Sequence, residues 1–293
     1  MLNIAPHDFV RLGGTPEQLI DLLGPLAALA GTWVGNKGWN IIAVPSPGSE
    51  PGDTGHFTLI VQQYVETLTF TPVGAPVRNR GGAVDQFVGA LEYEQRINDA
   101  TTMEVLHVEN GLWLNLANII PNAGNGMQAD PPPEFTIGRS GSIPHGDAVL
   151  ALGNASSAPG APVIPNISTL PPDAGPSAPL GYTDPYLNGS PNVTNPNLAL
   201  QQAIVGQTIT ETTTITVDTQ NEGGIYNIPF IVGHADATRL QCTFWIETVQ
   251  LSPTQTIQQL QYSQVIDLEF HQKFGEAGLI TWPHANTNTL LKQ

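Results

Sequence analysis

The sequence predicts an all-β protein, folded as a closed, antiparallel, up-and-down β-barrel of about ten strands of the calycin-like type. Three observations indicate this fold class. The chain holds 30 Gly and 26 Pro among 293 residues but only 12% charged side chains, a composition typical of short strands joined by turns. Roughly nine or ten segments alternate apolar and polar residues with a period of two. Turn signals separate these segments, so neighbouring strands are expected to pair antiparallel.

So many strands must hide their edges, either by closing into a barrel or by packing as two sheets. The barrel is the simpler arrangement for up-and-down connections. A β-sandwich remains the alternative, because high turn content and low charge also suit a structural, capsid-like protein that forms large assemblies.

One short helix is predicted before the strands, over residues 15–30. Thr15 is suited to the N-cap and Pro16 to the first helical position. Apolar residues then recur at helical spacing, and Gly31 provides the stop. Pro25 is expected to kink this helix.

After the helix the hydrophobic pattern changes to the alternation expected of strands. Turn signals lie between these segments, including GG at 81–82, ENG at 109–111 and NEGG at 221–224. The predicted strand segments are WNIIAV, FTLIVQQYVETLTFTPV, VDQFVGALEYEQRI, MEVLHVENGLWLNL, DAVLALG, ITETTTITVDT, RLQCTFWIETVQL, TIQQLQYSQVIDLEF and LITWPHANTNTLL.

The stretch 154–206 departs from this pattern. It is dense in Pro, Gly, Ser and Asn, which predicts a long insertion rather than a regular element. Its scattered apolar residues would let it lie ordered against the outside of the barrel or its mouth. Near its end, the segment NLALQQAIVG (197–206) starts with Asn and stops with Gly, so about two turns of helix are expected. The whole chain, 1–293, is predicted to form a single barrel domain.

Composition limits the partners and the compartment. The net charge of −16 and the lack of a basic cluster disfavour nucleic acid and anionic membranes. The N-terminus lacks the basic start and apolar run of a secretory signal, and no run of about 18 apolar residues occurs. Cys242 is the single cysteine, so an internal disulfide is excluded. A cytoplasmic protein is expected, and a homodimer is compatible with the sequence.

Several catalytic patterns are missing. The chain has no Gly-x-Ser-x-Gly elbow, no phosphate-binding loop and no dinucleotide fingerprint, because GNKGWN opens a strand and not a helix. No pair of histidines has the close spacing typical of zinc sites. These absences disfavour hydrolases, nucleotide-binding proteins and simple zinc enzymes.

The segment LAGTWVGNKGWN places Trp33 and Gly35 at the start of the first strand. A flat Trp there can seal one end of a barrel while Gly permits close backbone approach. An ordinary core tryptophan beside a turn is the alternative.

Three histidines are candidates for a site. His284 shares one strand face with Ile280, Trp282 and Asn286, so its imidazole is predicted to point into an apolar interior. A neutral imidazole in such a place is a good axial ligand for iron, although a hydrogen-bonded structural histidine is the common alternative.

The other candidates lie mid-chain. His107 has Val105 and Met103 on its own side, and Glu109 is placed to accept its N–H and fix its tautomer. These two residues form a candidate acid–base pair, or a pair at the rim that fastens the following turn. His145 lies in a loop setting suited to a cavity mouth or to simple exposure. Arg139 is a candidate partner for the carboxylate of an enclosed ligand, or a surface residue.

Taken in order, LAGTWVGNKG, LHVENGLWL, SIPHGDAVLALG and LITWPHANTNTLL resemble the segments of the nitrobindin-like haem-binding β-barrels. That family has an opening Gly-Thr-Trp-x-Gly segment, a middle His-x-Glu-x-Gly segment and a histidine on its last strand. Trp33 and Gly35 match the opening motif, His107, Glu109 and Gly111 match the middle one, and His284 matches the iron ligand. The stretch 154–206 has no counterpart in the family.

The resemblance implies a ten-stranded barrel that holds haem b through His284. It implies chemistry on a small oxidant or nitrogen oxide, including isomerase or peroxidase-type activity, or the sensing of such a molecule. His107 and Glu109 would be the catalytic residues. Contacts to the cofactor would come from Trp33, Trp282, His145 and Arg139. The rival hypothesis is a metal-free, lipocalin-like barrel that binds or transforms a small apolar or aromatic molecule.

Overall fold

The computed structural model describes residues 16–45, 57–79, 86–117, 133–172, 191–270 and 279–293. Within these ranges the chain forms twelve strands: β1 (Gly31–Pro45), β2 (Phe57–Pro72), β3 (Val77–Asn79), β4 (Gln86–Asp99), β5 (Val105–Asn115), β6 (Ile137–Ile143), β7 (Asp147–Pro159), β8 (Thr208–Asp218), β9 (Gly224–Asn227), β10 (Asp236–Ser252), β11 (Gln255–Phe270) and β12 (Ile280–Lys292). The α-helices are α1 (Pro16–Leu23), α2 (Pro191–Thr194), α3 (Asn197–Ala203) and α4 (Pro229–Val232), and a 3₁₀ helix spans Gly24–Leu29.

Ten strands close into an antiparallel barrel in the order β2-β1-β12-β11-β10-β8-β7-β6-β5-β4. Pairing of β2 with β4, from Tyr64 opposite Asp99 to Pro72 opposite Leu91, joins the last strand to the first. The short strands β3 and β9 pair with β4 and β7 outside this ring. Closure confirms the predicted barrel, and the sandwich alternative is wrong because one continuous sheet returns to its own start.

The N-terminal segment closes one end of the barrel. Trp33 is fully buried there, and its Nε1–H donates a hydrogen bond to the Leu29 carbonyl oxygen at 2.7 Å. Asn115, at the end of β5, holds the same segment by donating to the Leu22 carbonyl oxygen at 3.0 Å. Trp33 thus lies in the place expected of a stopper. The predicted kink at Pro25 is a change from α to 3₁₀ geometry that starts at Gly24, whose φ is +53°.

The middle motif differs from the sequence expectation. The ENG segment at 109–111 is not a turn, because β5 runs through it without interruption. Gly111 is required there for a different reason, since a Cβ at this position would collide with the Ser140 carbonyl oxygen on β6. Met103 does not share a strand face with His107, because it precedes β5 and has a φ of +61°. The NEGG turn at 221–224 is present between β8 and β9, whereas Thr15 and the GG signal at 81–82 lie outside the described residues.

The predicted insertion begins later than expected. Residues 154–159 continue β7 and pair with β8, so the departure from the barrel starts near residue 160. The described parts beyond it cover the outer wall, where Ile164 and Leu200 pack on Trp245. Helix α3 is present in the predicted segment.

Inward-facing residues change character along the barrel. Apolar residues dominate at the end closed by Trp33, whereas polar side chains occupy the middle. On β11 the inward-facing residues are, in order, Leu260, Tyr262, Gln264 and Ile266, so two polar side chains lie between two aliphatic ones. The cavities described below lie beyond this polar layer, at the end opposite Trp33.

Candidate functional site

Two adjoining cavities occupy the end of the barrel away from Trp33. The narrower one has a volume of about 150 Å³ and the wider one about 470 Å³. Both are lined by the same four residues, which stand at the junction between the two spaces: His107, His145, Ile266 and His284.

The two cavities differ in their walls. The wider one is mainly aliphatic, and its lining includes Ile42, Ile143, Val149, Ile225, Ile231, Leu240 and Leu268. The narrower one has a polar wall formed by Asn40, Gln95, Tyr262, Gln264 and Asn286. The combined space therefore has an apolar chamber, a histidine layer and a polar inner end.

His284 is held from one side by β1. Its Nε2 lies 2.5 Å from Asn40 Oδ1, and Asn286 Nδ2 donates to the same oxygen at 2.9 Å. Because a carbonyl oxygen only accepts, Nε2 carries the proton and Nδ1 is the unprotonated ring nitrogen. Burial, with smaller effects from His107 and His145, lowers the pKa of His284 to about 4, so the ring is neutral at physiological pH.

His107 connects the cavity to a buried carboxylate. Its Nε2 lies 3.3 Å from Glu109 Oε2, and its Nδ1 lies 3.2 Å from His145 Nε2. The two rings also stack, with centroids 5.3 Å apart. Since a carboxylate accepts, the His107 proton is assigned to Nε2, and His145 Nε2–H donates to His107 Nδ1. The predicted Glu109–His107 contact is therefore present, and His145 extends it to the cavity mouth.

Glu109 is ionised because Arg139 lies against it. Arg139 Nη2 donates to Glu109 Oε1 at 2.7 Å, and Tyr93 OH donates to the same oxygen. Burial alone would raise the pKa of Glu109, but Arg139 and the hydrogen bonds from His107 and Tyr93 lower it to about 2. Arg139 itself is buried between the rings of Tyr93 and Trp113, with its guanidinium carbon 5.5 Å from each ring centroid.

A second carboxyl group lies below the narrow cavity. Glu66 accepts hydrogen bonds from Gln95 Nε2 at 2.7 Å, from Tyr262 OH at 2.9 Å and from Asn288 Nδ2 at 2.8 Å. Burial raises the pKa of Glu66 despite these donors. Sequence reasoning missed this cluster, although polar residues at inward positions of otherwise apolar strands were the available signal.

Asp147 is a further residue that the sequence did not single out. It starts β7 and lines the wider cavity near His145. Its Oδ1 is buried and has no hydrogen-bond partner among the described residues. Burial raises the pKa of this carboxyl, and nearby Asp236 adds to the effect, while His145 opposes it. The wider cavity thus has one under-satisfied acidic group in its wall.

The structure brings together three of the predicted site residues, His107, His145 and His284, with Glu109 directly behind the first. Arg139 lies deeper, where Glu109 and Gln264 occupy its guanidinium. Trp33 lies at the closed end of the barrel. Trp282 is buried in a separate cluster with Ile41, Ala43, Phe270 and Ile280 and does not line either cavity. In the described part of the chain, no three His, Cys, Asp or Glu side chains are grouped closely enough to hold one metal ion.

No protein-family model matches the chain, and no curated protein matches it. One similar solved structure is the crystal structure of Rv2717c from M. tuberculosis, at 14% sequence identity and a TM-score of 0.42, over 95% of this chain and 98% of that one. The fold assignment rests on the strand pairing and not on this similarity. None of the helices in the described ranges has the length and apolar character needed to span a membrane.

Proposed function

We propose that this protein binds a small, largely apolar molecule inside the barrel. The observation that carries the proposal is the wider cavity of about 470 Å³ with its aliphatic wall and its histidine layer at one end. Cavities of this size, with many apolar and few polar groups, are typical of small-molecule sites. The aliphatic wall would hold the body of the ligand, and the histidines would orient its polar group.

A metal-free occupant agrees best with the contacts of the site. In the described part of the chain neither cavity is lined by Lys or Arg, so no side-chain cation is available to pair with the carboxylates of a large anionic cofactor. Arg139, the predicted partner of such a carboxylate, is instead paired with Glu109.

Haem b is the second candidate, and the state of His284 favours it. The ring is neutral and borders an apolar cavity, as an axial imidazole requires. The segments that resemble the nitrobindin-like barrels also supply His107, His145 and His284, which lie together at the junction of the two cavities. Because Nε2–H is donated to Asn40, the unprotonated Nδ1 is the nitrogen through which His284 would hold iron. Haem held by His284 would supply chemistry on a small oxidant or nitrogen oxide in this cavity.

A neutral, polarity-sensitive dye such as Nile red tests the cavity. We expect saturable binding with a blue-shifted emission. Ala237→Phe fills the wider cavity, which Ala237 lines, and should abolish most of this binding. Ala148→Phe makes the same change at an exposed position of β7 and should leave it intact. Equal dye binding by both variants would contradict the proposal.

Haemin titration tests the second candidate. Haem ligated by His284 should give a Soret band that His284→Ala weakens or shifts, whereas His234→Ala, at an exposed position, should not change it. Asn40→Ala removes the acceptor that orients the imidazole through its Nε2–H and should weaken haemin binding. If the Soret band is unchanged in His284→Ala, or if no band forms, haem ligation by His284 is excluded. The test of the cavity with Nile red does not depend on this outcome.

A further inference from the structure

The polar end of the wider cavity consists of hydrogen-bond acceptors. Asp147 contributes a carboxylate whose Oδ1 has no partner within the described ranges. The nearby Asp236 is already bound through its Oδ1 by Asn227 Nδ2 at 2.9 Å. Asp147 Oδ1 is therefore a buried carboxylate oxygen in the cavity wall without a hydrogen-bond donor among the described residues.

The histidines add acceptors to the same end. His284 donates its Nε2 proton to Asn40, and His145 donates its Nε2 proton to His107. In each neutral ring the other nitrogen, Nδ1, is then an acceptor. Burial lowers the pKa of both His145 and His284, which disfavours a second proton on either ring. These rings therefore do not supply the cation that Asp147 lacks.

Charge around the site points the same way. Glu109 and Arg139 compensate each other, so this buried pair adds no net charge. The lining residues in the described part of the chain include no Lys or Arg, and the protein as a whole has a net charge of −16. A positively charged ligand would be attracted to this cavity and a negatively charged one repelled.

We propose that the ligand is an apolar amine, with an aliphatic or aromatic body in the wider cavity and a protonated nitrogen beside Asp147. This inference rests on the proposed function, because it names the class of molecule that the cavity binds. The amine N–H groups donate to the Asp147 carboxylate and to the acceptor nitrogen of His145 or His284. A charge-assisted hydrogen bond in a partly dry site favours the amine over an uncharged isostere by about tenfold or more.

Competition against bound Nile red tests this class. Three probes share one naphthalene body: 1-naphthylmethylamine, 1-naphthalenemethanol and 1-naphthoate. The amine should displace the dye at a concentration about tenfold or more below that of the alcohol, and the carboxylate should be weakest. Asp147→Asn should remove most of the amine's advantage and leave the affinity for the alcohol unchanged, which shows that the cavity is intact. Glu94→Gln removes one exposed charge on β4 and should leave the order of the probes unchanged.

The outcomes separate the two proposals. If the dye binds but the carboxylate competes as well as the amine, or if Asp147→Asn changes nothing, the amine class is wrong and the ligand cavity stands. If the dye does not bind wild-type protein, both proposals fail together.

Discussion

Two buried carboxyl groups, one inside the barrel and one outside it, have opposite environments. Glu109 on β5 is 1% exposed and Glu247 on β10 is 0% exposed. Glu109 faces the interior, where Arg139, Tyr93 and His107 contact it. Glu247 faces the outer wall and accepts one hydrogen bond, from Gln259 Nε2 at 2.5 Å, while its Oε1 has no partner in the described part of the chain.

The two pKa values follow from this difference. Burial, opposed by Arg139 and the hydrogen bonds, leaves the pKa of Glu109 at about 2. Burial, opposed only by Gln259, raises the pKa of Glu247 to about 7. Similar burial therefore produces a permanent charge at one site and a titrating acid at the other, because only Glu109 has a cation beside it.

The difference also matches the tasks of the two regions. The ionised Glu109 fixes the tautomer of His107 at the cavity, so its charge is part of the site's geometry. Glu247 lies on the outer wall near the described parts of the segment from residue 160 to residue 207, which cover this wall and are here called the cover. At the end of the cover, Gln207 exchanges hydrogen bonds with Gln259 at 3.1 and 3.2 Å. Neutral contacts of this kind hold the cover on the wall without a matched ion pair.

The largest effect is expected from Arg139→Met. This change leaves Glu109 buried without a cation, which should lower the free energy of unfolding by about 3–5 kcal/mol in urea denaturation. Arg239→Met is the matched control, because Arg239 and Asp218 form a partly exposed pair 2.5 Å apart. Its loss should be at most about 1 kcal/mol. Comparable losses of unfolding free energy in Arg139→Met and Arg239→Met would contradict a special role for the buried Arg139–Glu109 pair.

The double variant Arg139→Met/Glu109→Gln sharpens this test. It removes the stranded charge, so most of the lost stability should return. Continued instability would show that packing of Arg139 between the two aromatic rings, and not its charge, is what matters.

A smaller, pH-dependent effect is expected from Glu247→Gln. The folded pKa of about 7 exceeds the ordinary value of 4.5, so this group's stabilising contribution is present below pH 4.5 and is lost as pH rises through 7. The variant should gain about 1–3 kcal/mol over wild type at pH 8 and little at pH 5. Denaturant melts at both pH values measure this, and an equal effect at the two would contradict a titrating Glu247.

The smallest effect is expected from Gln207→Leu. This substitution removes the reciprocal hydrogen bonds with Gln259 and should cost about 1 kcal/mol in the free energy of unfolding. Gln220→Leu, at an exposed turn position, is the control and should be neutral within about 0.5 kcal/mol. A loss as large as that of Arg139→Met would show that the cover is held as tightly as the interior.

Much of the fold was predictable from local pattern. Period-two alternation identified the long strands. Asn197 and Gly206, at the two ends of NLALQQAIVG, predicted the position of α3. The turn predicted at 109–111 was wrong, because glycine is typical both of turns and of positions where another backbone comes close. At Gly111 glycine is needed because the backbone of β6 comes close. The pairing of β5 with β6 could not be predicted from the residues around Gly111 alone.

The candidate site was predictable only in part. His107, His145 and His284 could be singled out by their local settings, and Glu109 by its spacing from His107. The partners of Arg139 and the hydrogen bonds around Glu66 could not, since Glu66, Gln95, Tyr262 and Asn288 come from four strands spread over the chain.

The sequence by itself determined that this chain forms many alternating strands with an N-terminal helix, because side-chain alternation and turn residues act over a few neighbouring positions. Only the tertiary structure decided which polar side chains share the interior, which carboxyl meets Arg139 and which remains uncompensated. Those outcomes depend on the closure of β2 on β4 and on the register between distant strands. Both are set by packing of the whole barrel and by no single segment.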